Sequence, residues 1–261
     1  MSALVSPAIV RARVCDDIQL RVAATRGERQ AVFELIYRAY LRAGLCVKSD
    51  SGMRATPYQL LSSTDIFLAE LRGQVISTVS LVRDGDLGLP MESLYPEEVA
   101  TRRAAGVKVA EVSCLADRRQ GTARFFGLFC DLSRLMFQLA RHTGVEEILV
   151  AVDPRHAPLY RRYMGFETIC AERDDDAIED FPAVPLSLNF AKAKYEKPKS
   201  WREYFGEPLP DDALQSSPIT ADDRDYFYAV LDSVGHDEAP TSSASYGNSD
   251  VQEADDRLQC A

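Results

Sequence analysis

The chain has few of the residues that hold metals. It contains three histidines and six cysteines in 261 residues. Cys15, Cys46, Cys114, Cys130, Cys170 and Cys260 form no C-x-x-C pair and keep no metal-like spacing to a histidine. They read as reduced thiols of a cytosolic protein, which excludes a disulfide frame and a zinc centre, so no metal is expected. Long hydrophobic runs are missing as well. MSALVSPAIV is interrupted at Arg11, and no other stretch nears the ~18 apolar residues of a membrane-spanning helix. The expectation is a soluble, cytoplasmic protein without a transmembrane segment. Internal repeats are absent, and the basic residues lack interleaved aromatics, which argues against nucleic acid as a partner.

Positive charge is nearly absent from one end. From residue 206 onward there are 13 Asp and Glu against two Arg, whereas residues 1–205 hold 27 acidic and 28 basic groups. The formal net charge of −10 therefore belongs to the C-terminal part. Its Ser, Gly, Pro and like charges have the composition of a disordered segment. The expected organisation is an N-terminal extension over residues 1–17, one domain over 18–205, and an acidic, largely disordered tail over 206–261 in which residues 219–234 spell a short helix. A hydrophobic content of 46% is ample for one core.

What the chain does have is concentrated in residues 109–166. VAEVSCLAD (109–117) is an apolar run with Glu111 inside it, followed by the turn RRQGTA (118–123). Phe125, Leu128, Phe129, Leu132, Leu135, Met136 and Leu139 then recur at steps of three and four, which predicts an amphipathic helix ending near Gly144. EEILVAV (146–152) has the length and β-branching of a buried strand. Asp153 and Pro154 suit the N-cap and first position of a helix running to about Met164. Strand, helix and strand in this order form a βαβ unit with parallel strands. The first amides of its helix, after Gly121 and beside Arg118, Arg119 and Arg124, suit a phosphate or pyrophosphate.

Outside this unit, residues 18–25 read as a first strand and the following amphipathic segment as a helix closed by Gly44. Residues 45–58 form an aperiodic polar loop, a candidate substrate lid. Residues 64–82 read as a hairpin turning at Arg72-Gly73. Pro96 opens a short helix that Gly106 closes. Residues 166–173 and 183–190 are expected strands around an acidic turn at Asp174 to Asp176, and residues 191–205 are helix-like. The sum is a mixed α/β sheet flanked by helices.

These residues resemble a known group. Arg118-x-x-Gly121-x-Ala123 is similar to the acyl-carrier loop of the GNAT N-acyltransferases. Over residues 20–190 the chain resembles the long-chain N-acyl amino acid synthases, a GNAT-fold group related to acyl-homoserine-lactone synthases. The resemblance runs through Tyr40-Leu41-x-x-Gly44, Gly52-x-Arg54, Gly88-Leu89-Pro90-Met91, Glu111-Val112-Ser113-x-Leu115-Ala116, Pro154-Arg155-His156, Tyr160-Arg161-Arg162 and Gly165-Phe166. Two departures stand out. Lactone synthases resemble this strand as Glu-x-Ser-Arg, whereas Cys114 follows Ser113 here, and common GNAT chains place four steps between the helix tyrosine and glycine, whereas Tyr160 to Gly165 is five.

The resemblance implies an N-acyltransferase that moves a long fatty acyl chain from an acyl carrier protein thioester to the amino group of an amino acid. No cofactor is held permanently; the acyl-phosphopantetheine of a carrier protein or of CoA is a co-substrate. Glu111 is the candidate general base, and its alternative is a structural carboxylate paired with an arginine or amide. Tyr160 is the candidate proton donor to the thiolate, or else a core tyrosine. Ser113, Leu115, Arg118, Arg119, Gly121, Thr122 and Ala123 are expected to bind the acyl thioester and pantetheine. Arg54 and Arg155 are the candidates for the acceptor's carboxylate, and each has a plain solvated role as alternative. Arg118, Arg119, Arg161 and Arg162 suit an acidic carrier protein equally with an ordinary surface. Strict alternation places Val109, Ser113 and Leu115 on Glu111's face and Cys114 opposite, which points to direct transfer rather than an acyl-enzyme. A CoA-dependent N-acetyltransferase and a non-catalytic module that senses acyl thioesters are the competing readings.

Overall fold

The computed structural model describes residues 8–118, 122–170 and 183–232, with the backbone alone for residues 122–124 and 232. Its centre is one eight-stranded sheet in the order β1-β2-β3-β4-β5-β6-β8-β7. The strands are β1 (Val10–Ala12), β2 (Cys15–Val22), β3 (Thr64–Leu71), β4 (Gln74–Arg83), β5 (Val109–Asp117), β6 (Glu147–Val152), β7 (Glu167–Thr168) and β8 (Val184–Asn189). Every neighbouring pair is antiparallel except β5 and β6, which are joined through helix α3 (Thr122–His142). The expected parallel βαβ unit is thus the middle of a mostly antiparallel sheet.

Local chemistry accounts for most of the elements. Helix α1 (Arg26–Arg42) starts at a capping box: the Thr25 hydroxyl accepts from Glu28 N at 3.2 Å, and Glu28 Oε2 accepts from Thr25 N at 3.0 Å. The hairpin between β3 and β4 turns on Arg72 and Gly73, both with positive φ, as the inverse turns that match strand twist require. Helix α2 (Pro96–Ala104) opens on its proline.

Helices cover both faces. One face packs Phe67, Val79, Leu81, Ala110 and Val112 beneath α3. On the other, Ile66, Leu68, Cys114 and Ala116 pack beneath Phe33 and Ile36 of α1, and Val82, Val109 and Leu149 beneath Met91 and Tyr95. Burial of these side chains at about 25 cal/mol per Å² is what holds the layers together.

Several boundaries differ from the sequence expectation. The first strand is β2, three residues earlier than read, and β1 extends the sheet into the supposed N-terminal extension. After β6, Asp153 does cap the Arg155 N–H at 2.8 Å, but residues 153–156 form a turn and the helix α4 is Ala157–Leu159. From Tyr160–Met164 the chain widens into a π-turn that closes at Gly165, φ 81°. A π-turn absorbs one extra residue. The five-step spacing from Tyr160 to Gly165 is therefore accommodated locally. The strand expected over 166–173 is only the two-residue β7, and the acidic turn at 174–176 lies outside the described residues. The helix-like segment 191–205 is two helices, α5 (Phe190–Glu196) and α6 (Pro198–Phe205), divided at Pro198.

The domain's packing continues past residue 205, and the short helix expected over 219–234 is present. Residues 207–232 are ordered against the domain and end in α7 (Ala221–Asp232). Leu209 N donates to Gln138 Oε1 of α3 at 2.8 Å, and Leu209 and Leu214 join the α3-side core. The strap then crosses to the other face. There Ser217 N and Ser216 Oγ donate to the buried Asp65 carboxylate at 3.0 and 2.6 Å, while the buried Arg29 donates to Ser217 O at 2.7 Å. Phe227 is fully buried with its ring 4.9 Å from that of Phe33. Composition averaged over residues 206–261 hid these few well-placed apolar side chains.

Candidate active site

Strand β5 separates from β6 part-way along. Their pairing ends at Glu111 opposite Leu149, although β5 runs on to Asp117 and β6 to Val152. Beyond that point the β6-facing edge of β5 has no strand partner among the described residues. A bulge lies in the same stretch. Thr78 faces Ala116 whereas Ser80 faces Ser113, so Cys114 and Leu115 together stand against Val79. Cys114 adopts φ 52°, a left-handed conformation that costs a non-glycine residue about 1–2 kcal/mol.

The bulge overturns the alternation expected from sequence. Cys114 packs with Ala116 on the α1 side, the side of Glu111, while Leu115 turns to the α3 core. Ser113 remains beside Cys114, its Oγ 3.4 Å from the thiol sulfur. Burial pushes the Cys114 thiol pKa up. It therefore stays protonated and is a poor nucleophile.

Glu111 is 4% exposed. Its Oε2 accepts a hydrogen bond from Met91 N at 2.8 Å, and Oε1 has no partner among the described residues. Burial pushes its pKa up to about 8; the Met91 N–H opposes that rise and the nearby Glu92 carboxylate adds to it. No arginine pairs with it among the described residues. Met91 sits in the 3-10 turn Pro90–Ser93, whose geometry depends on Gly88. Gly88 has φ 69°, and a Cβ there would lie 2.3 Å from Glu92 Oε1. Glu92 accepts from Leu89 N at 2.5 Å and pairs with Arg103. The Gly-Leu-Pro-Met motif thus aims a backbone N–H at the buried carboxylate.

The loop expected to be a lid lies on the same face. Arg54 is half-buried with its guanidinium 5.0 Å above the Tyr40 ring, and no carboxylate pairs with it among the described residues. It is close enough to Cys114 to favour the thiolate against the effect of burial. Tyr58 was not singled out by the sequence. It packs against the Met91 cluster, and burial, then Glu111, raises its pKa. The only sequence signal was its place in an aperiodic loop.

The remaining candidates are spread more widely. Arg155 is exposed and forms an ion pair with Asp153, Nη2 to Oδ2 at 2.6 Å, so it does not share Arg54's surroundings. Tyr160 is buried on the α3 side, its ring 5.8 Å from Phe129 and 5.5 Å from Phe166, and burial raises its pKa. Arg118 is exposed, donating its N–H to Ile76 O at 2.8 Å and its side chain to Gln74. Arg119 and Gly121 lie outside the described residues. Thr122 and Ala123 open α3.

The family model described as N-acyl amino acid synthase FeeM matches residues 31–189. The solved structure of FeeM, an N-acyl amino acid synthase from uncultured soil microbes, is 22% identical over 76% of this chain and 96% of that one, with a TM-score of 0.57. The acyl-homoserine-lactone (AHL) synthase LasI is 14% identical over 78% of this chain and 98% of that one, with a TM-score of 0.54. No curated protein sequence matches the chain. The two structures share its GNAT-like fold of helices on a mixed sheet. With the family model spanning more than half of its length, the chain belongs to the N-acyl amino acid synthase FeeM family and is an N-acyltransferase.

Proposed function

We propose that this protein transfers a long-chain fatty acyl group from an acyl carrier protein thioester to the α-amino group of an amino acid. The observation that carries this reading is Glu111: a buried carboxylate with one oxygen unpartnered among the described residues, at the point where β5 leaves β6, with its pKa pushed up to about 8. A base poised near neutrality can remove a proton from an ammonium, and a carboxylate needed only for folding would be expected to have a cation beside it.

In this mechanism the donor thioester lies between the diverging strands. The unpaired β5 amides near Ser113, Cys114 and Leu115 polarise its carbonyl, and the first amides of α3 at Thr122 and Ala123 receive the phosphate. Arg118, Arg119, Arg161 and Arg162 attract an acidic carrier protein. Arg54, stacked on Tyr40, receives the acceptor's α-carboxylate; Arg155 is the less suited guanidinium because Asp153 occupies it. Glu111 takes a proton from the ammonium and passes it to solvent, the nitrogen attacks the carbonyl carbon, Glu111 takes the second N–H proton from the adduct as the C–S bond breaks, and the thiolate leaves. Tyr160, which burial keeps protonated, donates to the thiolate from the α3 side. Cys114 takes no part, so transfer is direct.

Mass spectrometry of lipid extracts from cells expressing the wild type and Glu111→Gln tests the reading. New N-acyl amino acids in the wild type, reduced at least about a hundredfold in the variant, are expected for a lost general base. Equal product from both would discard Glu111, and no new lipid from either would discard the long-chain reaction. In purified protein, Arg54→Ala should raise KM for the amino acid about tenfold or more and leave KM for the thioester unchanged, and Tyr160→Phe should lower kcat. A lower KM for acyl carrier protein than for the matching acyl-CoA would support the carrier as donor.

A further inference from the structure

The 3-10 turn Pro57–Leu60 presents a side chain that the mechanism above does not use. The backbone of Tyr58 is fixed: its carbonyl accepts from Thr64 Oγ1 at 2.6 Å and from Leu61 N at 3.3 Å. The next residue, Gln59, is buried; it accepts from Thr56 N at 3.1 Å and donates to Ser80 Oγ at 3.0 Å. Ser80 faces Ser113 and Val82 faces Glu111 across the β4–β5 ladder, so the turn is tied to the sheet two residues from the buried carboxylate. The Tyr58 ring packs against the cluster that contains Met91 and Val109, and Met91 supplies the N–H that holds Glu111.

Within this fixed frame two oxygen atoms lack partners among the described residues. One is Glu111 Oε1, and the other is the hydroxyl of the half-buried Tyr58, whose ring packs against the Met91 cluster. The charges of Glu111 and Glu92 are felt at the phenol, which burial first and these carboxylates next hold in its protonated form. A buried carboxylate taking a proton from an ammonium leaves two N–H bonds, and rotation about the C–N bond would scatter the lone pair unless one of them is also held. A second acceptor fixes that rotation and holds the nitrogen in a reactive orientation.

We infer that Tyr58 is a catalytic contact to the acceptor's amino group: its oxygen accepts one N–H while Glu111 Oε1 takes the proton that is removed. Tyr58 keeps its own proton throughout, since it acts through an oxygen lone pair, and the nitrogen lone pair is turned toward the thioester carbonyl carbon. The inference rests on Glu111 being the base.

Tyr58→Phe tests this while keeping the ring and its packing. The assay uses the full chain, a palmitoyl carrier-protein thioester, and an equimolar mixture of amino acids, with products read by mass spectrometry. The expected result is a kcat lower by about 10–100-fold, the value of a lost hydrogen bond to a charged or developing group, with thioester KM and Tm unchanged. A Tyr58→Phe rate within about twofold of wild type, while Glu111→Gln is inactive, overturns the inference and leaves the base in place. A loss appearing only as a raised thioester KM also overturns it. If Glu111→Gln keeps the wild-type rate, the base reading fails and this inference fails with it.

Discussion

Glu111 shows how one buried group ties function to stability. Its folded pKa of about 8 stands above its ordinary value of 4.5. A carboxylate with a raised folded pKa contributes stability that is fully present below 4.5 and is lost as pH rises through about 8, because the folded state binds the proton more tightly. Glutamine in its place has no such loss and can still accept from Met91 N. Glu111→Gln should therefore melt close to the wild type at pH 5 but at least about 4 °C higher at pH 9, since about 2–4 °C accompanies each kcal/mol in a chain of this size. Calorimetry at the two pH values measures it; equal melting temperatures at pH 9 would mean that the carboxylate is not buried as described. The sequence made this residue conspicuous because it is the only carboxylate between Val109 and Ala116. Tyr58 had no comparable signal. Its importance comes from neighbours far along the chain, Met91 and Glu111, which only folding brings to it.

At the scale of elements, the site depends on two departures from regular structure. The bulge in β5 carries no sequence mark, because a cysteine in the left-handed region looks like any small apolar residue. Alternation beyond Ser113 was misread for that reason. The Pro90–Ser93 turn is better marked, since Gly88 occupies a position where φ is 69° and a Cβ would meet Glu92. Gly88→Ala should cost about 1–2 kcal/mol from backbone strain alone. It should also displace Glu92, draw Met91 N from Glu111, and lower kcat by about tenfold, roughly one hydrogen bond's worth. Thermal melting together with a kcat measurement tests both parts; a stability loss with unchanged kcat would separate the turn from catalysis. The π-turn from Tyr160 was signalled in advance by the one-residue excess before Gly165, though its form was not.

For the whole molecule, the decisive feature is the strap of residues 207–232. It satisfies Gln138 on one face and Asp65 and Arg29 on the other, and fills the space beside Phe33 with Phe227. A protein ending at Phe205 would leave the buried Arg29 without its carbonyl partner and expose apolar surface on both faces. Residues 1–205 alone should therefore melt at least about 10 °C below the full chain or be recovered in aggregates, given a loss of several kcal/mol. Expression, gel filtration and melting of the shortened chain check this, and a monomer with the full chain's melting temperature would show the strap to be dispensable. The sequence by itself determined the helices and strands whose periodicity is local, the βαβ centre, the lone carboxylate, and the family through its ordered motifs. Folding alone settled which face Cys114 and Leu115 occupy, that Arg54 rather than Arg155 lacks a partner carboxylate among the described residues, and that part of the acidic tail is core. Those outcomes depend on register and on contacts between residues distant in the chain, and neither hydrophobic period nor composition encodes them.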